Sequence, residues 1–298
     1  MKPAVKIATA AYPLDAPRDW ADYAAKIGDW VAEAAGNGAR LLLFPEYAAM
    51  ELAMLAGAQA AADDEACLHA VSERIAQADA LHADLATRHG VLICAASAPV
   101  FDPALGPRPV NRARLFAPGG GMGVQDKQIM TRYERETMNV VPGGPLRLFD
   151  TALGRIGVLI CYDAEFPLLG RALCDADLIL VPSCTETPAG YSRVRIGAMA
   201  RALEGQCVTV MASIVGAAPW CPHVDANTGR GGVFGPPDSG FPATGVIAEG
   251  APDRPGWTYA EIDPEAIARV RREGRVLGRA HWIEQQGRDG PVAAQPLR

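Results

Sequence analysis

Residues 155–167 read Arg155-Ile156-Gly157-Val158-Leu159-Ile160-Cys161-Tyr162-Asp163-Ala164-Glu165-Phe166-Pro167. The apolar run stops abruptly at Cys161, and the acidic residues after it can begin a helix, so the segment predicts a buried strand followed by a turn into a helix. Open α/β sheets carry their reactive groups at the carboxyl ends of the strands. A cysteine used only for packing more often lies within a strand. The position therefore suits either a nucleophile or a buried structural thiol.

Strand and helix patterns alternate on both sides of this segment, and tight turns interrupt the alternation in the middle of the chain. Hairpin turns are predicted at Pro118-Gly119-Gly120-Gly121 and at Thr151-Ala152-Leu153-Gly154. Helical crossovers combined with hairpins predict an α/β protein with mixed sheets rather than a purely parallel sheet. Strands are predicted at 5–9, 41–44, 91–95, 112–116, 122–125, 146–149, 155–160, 177–182, 207–214, 230–234, 244–248 and 257–262, and helices at 20–36, 62–89 and 192–204, with another reaching about 174.

The composition is that of a globular protein, and it argues against several kinds of partner. Apolar residues make up 49% of the 298 residues, charged residues 21%, and the net charge is -6. This balance gives no basis for binding nucleic acid, which requires clustered cations. The seven cysteines contain no C-x-x-C pair, which argues against a zinc site and a disulfide framework. With no signal peptide and no membrane span in the sequence, we expect a cytoplasmic protein with reduced thiols.

Three further polar residues follow predicted strands, as Cys161 does. They are Glu46 after 41–44, Lys127 after 122–126, and Glu134 a little further along. Taken singly, each has an ordinary structural explanation as a helix cap or a surface charge. Taken together, they supply a base for the thiol and a cation for the oxyanion, both of which a cysteine nucleophile needs.

Around these four residues the sequence resembles the nitrilase superfamily of carbon-nitrogen hydrolases. The resemblance rests on three ordered motifs and covers about residues 4–270. The motifs are Phe44-Pro45-Glu46-Tyr47, Asp126-Lys127 with Thr131-Arg132-Tyr133-Glu134-Arg135-Glu136, and Cys161-Tyr162-Asp163-Ala164-Glu165-Phe166-Pro167.

The resemblance implies both a site and a fold. Cys161 is then the nucleophile, Glu46 the general base, Lys127 the oxyanion-stabilising residue with the backbone N–H of Tyr162, and Glu134 the second glutamate. The implied fold is an α/β, four-layer αββα sandwich with two mixed β-sheets, in a domain over 1–275. The tail 276–298 is a candidate for packing on a partner subunit in a homodimer or higher homo-oligomer. No metal or organic cofactor is implied.

The substrate is less clearly indicated. Tyr162-Asp163 after the cysteine is more similar to the amidase and carbamoyl-hydrolase branches than to the nitrile hydrolases, which favours a small amide cleaved by water. Nitriles and N-carbamoyl compounds remain alternatives. Asn111-Arg112-Ala113-Arg114 departs from the simpler pattern of many members, and we expect it to add charge near the site or at a subunit contact. The pocket candidates are Tyr47, Thr185, Glu186 and Trp220, and a substrate carboxylate has clamp candidates in Arg193, Arg195 and Arg201, for which ion pairing on the surface is an alternative.

Two other functions are compatible with the residues. A cysteine-histidine hydrolase would use one of the histidines as its base, although none follows a strand as Glu46 does. A binding or assembly protein with a vestigial site is the non-enzymatic alternative, and the intact set of four groups argues against it. The histidines are His69, His82, His89, His223 and His281.

Overall fold

The computed structural model describes residues 4–288 and 290–297. The strands are β1 (Val5–Pro13), β2 (Leu41–Leu43), β3 (Leu92–Val100), β4 (Val110–Phe116), β5 (Met122–Asp126), β6 (Leu148–Thr151), β7 (Gly154–Val158), β8 (Leu178–Ser183), β9 (Val208–Ala217), β10 (Ala226–Asn227), β11 (Gly232–Phe234), β12 (Val246–Glu249) and β13 (Gly256–Ile262). The α-helices are α1 (Trp20–Gly36), α2 (Ala58–Ala61), α3 (Ala66–His89), α4 (Arg132–Glu136), α5 (Pro167–Ala172), α6 (Pro188–Gly205), α7 (Pro264–Glu273) and α8 (Gly278–His281). Short 3₁₀ helices lie at Ala48–Ala56, Cys161–Glu165 and Trp282–Gln285.

The strands form two mixed halves. In the first half, β1, β2 and β3 are parallel, β4 and β5 continue antiparallel, and β13 pairs antiparallel with β1. In the second half, β7, β8 and β9 are parallel, and β6 and β11 pair antiparallel at either side. The two halves are joined by backbone pairing at the carboxyl ends of β1 and β9, where Ala11 pairs with Ser213.

Alternate side chains of the first half pack in different layers. Ala8 and Leu42 lie in the hydrophobic cluster that includes the buried faces of α1 and α3. Their neighbours Ile7 and Leu41 lie in a second cluster with the strands of the other half and α6. Because successive strand residues point to opposite faces, this division separates an outer helical layer from the interface between the two halves. The predicted αββα sandwich with two mixed sheets is confirmed.

The segment after Cys161 differs from the prediction in one respect. The expected single helix is a 3₁₀ helix followed by α5, and Pro167 occupies the first turn of α5, where a missing N–H costs nothing. Helix α6 crosses this segment closely, because a Cβ on Gly197 would lie 2.7 Å from the carbonyl oxygen of Ala164. The 3₁₀ helix that starts at the thiol is therefore fixed between the strand ends and α6.

The described part of the predicted tail includes short helical segments that pack on their own chain. Arg279 donates from Nε to the carbonyl oxygen of Cys174, at 2.9 Å, and the guanidinium of Arg171 lies over the ring of Trp282. Packing of the tail on a partner subunit stays a prediction.

Candidate active site

Cys161 begins the 3₁₀ helix with a left-handed backbone conformation, at φ +52°. This conformation is uncommon for residues other than glycine and typically costs about 1–3 kcal/mol. Its side chain is 4% exposed, and Sγ lies 3.7 Å from the carbonyl oxygen of Cys184. The strand therefore ends in a sharp turn that presents a single thiol to the interior of the site.

Lys127 lies between the two predicted glutamates. Its Nζ is 2.7 Å from Oε1 of Glu46, and 2.8 and 2.7 Å from the two carboxylate oxygens of Glu134. All three side chains are nearly inaccessible to solvent. The structure thus brings Glu46, Lys127, Glu134 and Cys161 together from four separate segments of the chain.

The two carboxylates have different hydrogen-bond partners. Glu46 accepts from Nδ2 of Asn111 and from the backbone N–H of Cys184, each at 2.9 Å. Glu134 accepts from the Tyr47 hydroxyl at 2.9 Å, and from the backbone N–H and the hydroxyl of Thr131, each at 2.9 Å. The Thr131 contacts form a reciprocal capping box at the start of α4. Glu134 is the more fully bonded carboxylate.

These surroundings move the two carboxyl pKa values in opposite directions. Burial raises the pKa of Glu46, and Lys127 offsets the increase only in part. Burial also acts to raise the pKa of Glu134, but Lys127 and the bonds from Thr131 outweigh it and the pKa is lowered. Such divergence separates a residue that can carry a proton from one that stays ionised. The geometry suits Glu46 for proton transfer and Glu134 for holding Lys127.

The surroundings of the Cys161 thiol raise its pKa. Burial and the adjacent Glu46 carboxylate raise the pKa of Cys161, and Lys127 lowers it by less. Burial acts to lower the pKa of Lys127, but the carboxylates of Glu134 and Glu46 outweigh it, so the pKa of Lys127 is raised. A thiol of raised pKa needs a neighbouring base in order to act as a nucleophile.

The four groups line a cavity of about 460 Å³. Of the predicted pocket residues, Tyr47, Thr185 and Glu186 line it, as do Tyr162 and Arg193. The prediction for Trp220 is wrong. Its half-buried side chain packs against the hydrophobic cluster that includes α1 and α3. The Ala218 N–H donates to the carbonyl oxygen of Asp225, and the turn so formed brings other residues of this loop to the cavity.

The arginines considered as clamps are mostly committed elsewhere. Arg195 pairs with Glu249, with Nε 2.5 Å from Oε1, and Arg201 pairs with Glu204. Arg193 is the one that lines the cavity, and its side chain is 63% exposed beside Glu165.

Asn111 is a polar residue of the site for which the sequence indicated no role. Asn111 is completely buried and donates to Glu46, whereas the arginines beside it form internal ion pairs: Arg112 with Asp126, and Arg114 with Asp79. The charge expected near the site or at a subunit contact is thus paired with carboxylates inside the fold. The available signal was an asparagine directly before the strand predicted at 112–116, in a stretch that departs from the simpler pattern of many superfamily members.

His223 lines the cavity but is not free to act as a base. Its Nε2 lies 2.8 Å from the carbonyl oxygen of Asp64, which can only accept, and Nδ1 lies 3.0 Å from the hydroxyl of Tyr133. Both ring nitrogens are thus engaged. The other histidines do not line the cavity: His82 is buried beside Phe116, and His69, His89 and His281 lie elsewhere on the described chain.

Comparison with solved structures places this fold among members of the nitrilase superfamily. Nit3 of Saccharomyces cerevisiae, a member of branch 10 of that superfamily, superimposes with a TM-score of 0.69 at 21% identity, covering 90% of this chain and 93% of Nit3. An amidase from Nesterenkonia sp. gives a TM-score of 0.62 at 23% identity, covering 89% and 92%.

The sequence comparisons show the family. The family model for carbon-nitrogen hydrolase matches residues 6–272, and the chain belongs to this family. The probable hydrolase YhcX of Bacillus subtilis is 30% identical over 274 residues, covering 91% of this chain and 52% of YhcX. The deaminated glutathione amidase of Yersinia enterocolitica is 34% identical over 145 residues, covering 45% and 50%. The chain spans about half the length of these curated relatives.

Proposed function

We propose that this protein hydrolyses the carbon-nitrogen bond of a small amide through a thioester on Cys161. The observation that carries the proposal is the convergence of a thiol, a buried carboxylate of raised pKa and a lysine in one cavity. The amidase names among the relatives and structural neighbours support an amide substrate. Nitriles and N-carbamoyl compounds are the alternative substrates for the same site.

In the first half of the reaction, Glu46 accepts the proton of Cys161 as Sγ attacks the amide carbon. The carbonyl oxygen becomes an oxyanion, and Nζ of Lys127 and the backbone N–H of Tyr162 stabilise it. Collapse of this intermediate breaks the carbon-nitrogen bond, and the leaving nitrogen takes the proton from Glu46. Ammonia or an amine departs, and the acyl group stays on the sulfur.

In the second half, Glu46 accepts a proton from water, and the resulting hydroxide attacks the thioester. The oxyanion forms again beside Lys127, the carbon-sulfur bond breaks, and the proton returns to the sulfur. Glu134 takes no proton in this scheme. It keeps Lys127 charged and in place, in agreement with its lowered pKa and its bonds to Thr131.

Replacing Glu46 with glutamine removes the base and is expected to lower kcat on amides by about 10²- to 10⁴-fold. A p-nitrophenyl ester needs no proton from Glu46 for its leaving group, because p-nitrophenolate leaves as an anion. Acylation of the variant, with the thiol proton passing to water, should therefore slow less than deacylation, for which Glu46 must activate water. The Glu46→Gln variant should then accumulate the acyl group, seen by mass spectrometry on the peptide that contains Cys161. An acyl group on another cysteine, or full amide turnover by the variant, would contradict the proposed mechanism.

The charges lining the cavity support a positively charged substrate. Glu186 and Asp225 are exposed residues of the cavity lining, and neither has an ion-pair partner among the described residues. Arg193, the exposed cation of the lining, lies beside Glu165. The two unpaired carboxylates lie on adjoining loops, because the backbone N–H of Thr228 donates to the carbonyl oxygen of Thr185, at 2.9 Å. A carboxylate on the substrate would be repelled here, whereas an ammonium group would be attracted.

Amides of matched size test this preference. We expect kcat/KM to be about tenfold higher for 5-aminopentanamide than for hexanamide, equivalent to about 1.4 kcal/mol, and lowest for glutaramate. Glu186→Gln should reduce the advantage of the cationic amide, and Glu33→Gln, on the exposed side of α1, should not. A preference for glutaramate would exclude a cationic substrate while leaving the proposed chemistry intact.

Assembly and cellular location stay predictions. Helices α5 and α6 expose Leu168, Ile196 and Leu203, which supports association into a homo-oligomer. Among the described residues, no helix is both long and apolar enough to span a membrane.

A further inference from the structure

Asp163 is a buried carboxylate that the proposed mechanism does not use. Asp163 is 1% exposed and lies two positions after Cys161. No lysine, arginine or histidine of the described chain forms an ion pair with it. A carboxylate removed from water in this way must be compensated by hydrogen bonds.

The compensation comes from backbone N–H groups next to two members of the site. Asp163 accepts from Ile129 at 2.8 Å and from Gln128 at 3.2 Å, the residues directly after Lys127. It also accepts from Ile160 at 3.3 Å, the residue directly before Cys161. One carboxylate thereby connects the lysine segment to the cysteine turn, although the two are far apart in sequence.

The connection coincides with the proposed oxyanion site. Lys127 lies next to Gln128, and Tyr162, whose N–H is the second proposed donor, lies next to Asp163. The main chain of Lys127 is held separately by hydrogen bonds to Asn111 and Gly143. Those bonds fix Lys127 to its own sheet but do not fix its distance from the cysteine turn.

We propose that Asp163 is a positioning residue that sets Lys127 relative to Cys161 and the Tyr162 N–H. The inference rests on the proposed function. Charge-assisted hydrogen bonds are shorter and stronger than neutral ones, so the ionised carboxylate holds three N–H groups more firmly than an amide of the same shape. An asparagine would retain one acceptor oxygen and would direct an NH₂ group at backbone donors.

Burial of the Asp163 carboxylate also has a cost in folding free energy that depends on pH. Burial raises the pKa of Asp163 from 3.8 to about 7, and Lys127, the charged side chain whose field reaches it, offsets this in part. Since the folded protein holds this proton more tightly than the unfolded chain, the contribution to stability falls as the pH rises from about 4 to about 7. Asparagine does not ionise, so the Asp163→Asn variant should not show this loss of stability between about pH 4 and about pH 7.

The test compares amide turnover with thiol reactivity in Asp163→Asn. Misplacement of a catalytic group by about 1 Å can cost about 10²-fold, so we expect kcat on a hydrolysed amide to fall about 100-fold with KM changed less than threefold. Methyl methanethiosulfonate transfers its thiomethyl group to the sulfur without forming an oxyanion. Its rate at Cys161, followed by peptide mass spectrometry, should stay within threefold of wild type.

Asp238→Asn is the matched control, because Asp238 also accepts from backbone N–H groups, those of Ser239, Arg275 and Val276, outside the active-site cavity. It should leave kcat unchanged. If Asp163→Asn does not fold, Asp163→Glu keeps the charge but displaces the carboxylate by one methylene, and we expect at least a tenfold loss of kcat with unchanged thiol reactivity.

Wild-type kcat in the folded Asp163 variant, or equal losses in amide turnover and thiomethylation, would overturn the positioning role alone. A wild-type protein that hydrolyses no amide would contradict the proposed function, and this inference with it.

Discussion

Replacement of Cys161 with alanine is expected to abolish amide hydrolysis, with kcat falling by at least ~10⁴-fold, because removal of a nucleophile eliminates the covalent route. The fold should be retained. Alanine can occupy the left-handed position with the same backbone strain as cysteine, and the thiol makes only a long contact, 3.7 Å, to the Cys184 carbonyl oxygen. The measurements are ammonia release with a panel of amides and thermal unfolding of both proteins.

Cys184 offers a comparison within the same cavity. Its contacts with the proposed machinery come from its backbone, whose N–H donates to Glu46 and whose carbonyl oxygen faces Cys161. Cys184→Ala keeps both, so its kcat should fall by less than tenfold. Full activity in Cys161→Ala, or loss of activity in the Cys184 variant alone, would show that Cys161 is not the nucleophile.

Replacement of Lys127 with methionine is expected to remove activity and destabilise the protein together. The loss of an oxyanion donor typically costs about 10²- to 10³-fold in rate. The same change leaves Glu46 and Glu134 buried without their shared cation, and breaking a buried ion pair in this way costs about 3–5 kcal/mol. Steady-state kinetics and urea unfolding measure the two effects.

Two further variants separate these effects. In Lys127→Met combined with Glu134→Gln, one buried charge is removed, so stability should recover in part while activity does not. Lys26→Met breaks a comparable ion pair outside the cavity, where Nζ lies 2.6 Å from Oε1 of the buried Glu51. It should lower stability and leave kcat on amides unchanged. Recovery of activity in the double variant would exclude Lys127 from the chemistry.

Several features of the site were readable from local sequence. Apolar runs ending at Phe44 and Ile160, and a hairpin turn before the strand that ends near Asp126, indicated where strands stop. The residues that follow these strands were expected at one edge of the sheets. These signals are local because a strand end is marked by a change from apolar to polar or turn-forming residues. The three motifs then identified the superfamily and the four-layer fold.

Other features depended on how distant elements pack. Arg112 and Arg114 were expected to add charge near the site or at a subunit contact. Pairing of β4 with β3 and β5, and contacts to Asp126 and Asp79, place them inside the fold. Trp220 follows β9 as predicted, yet its loop turns the side chain to the core. The residues adjacent in sequence do not show which way these side chains point.

The sequence by itself determined most of the strands, the long helices α1, α3 and α6, and the chemical groups that follow the strands, because periodicity and turn residues act over short distances. Only the tertiary structure decided that Glu46 has a raised pKa and Glu134 a lowered one, and that Asp163 connects Lys127 to the cysteine turn. These properties arise from burial and from hydrogen bonds between segments far apart in the chain. They exist only after the two halves of the sheet have packed together.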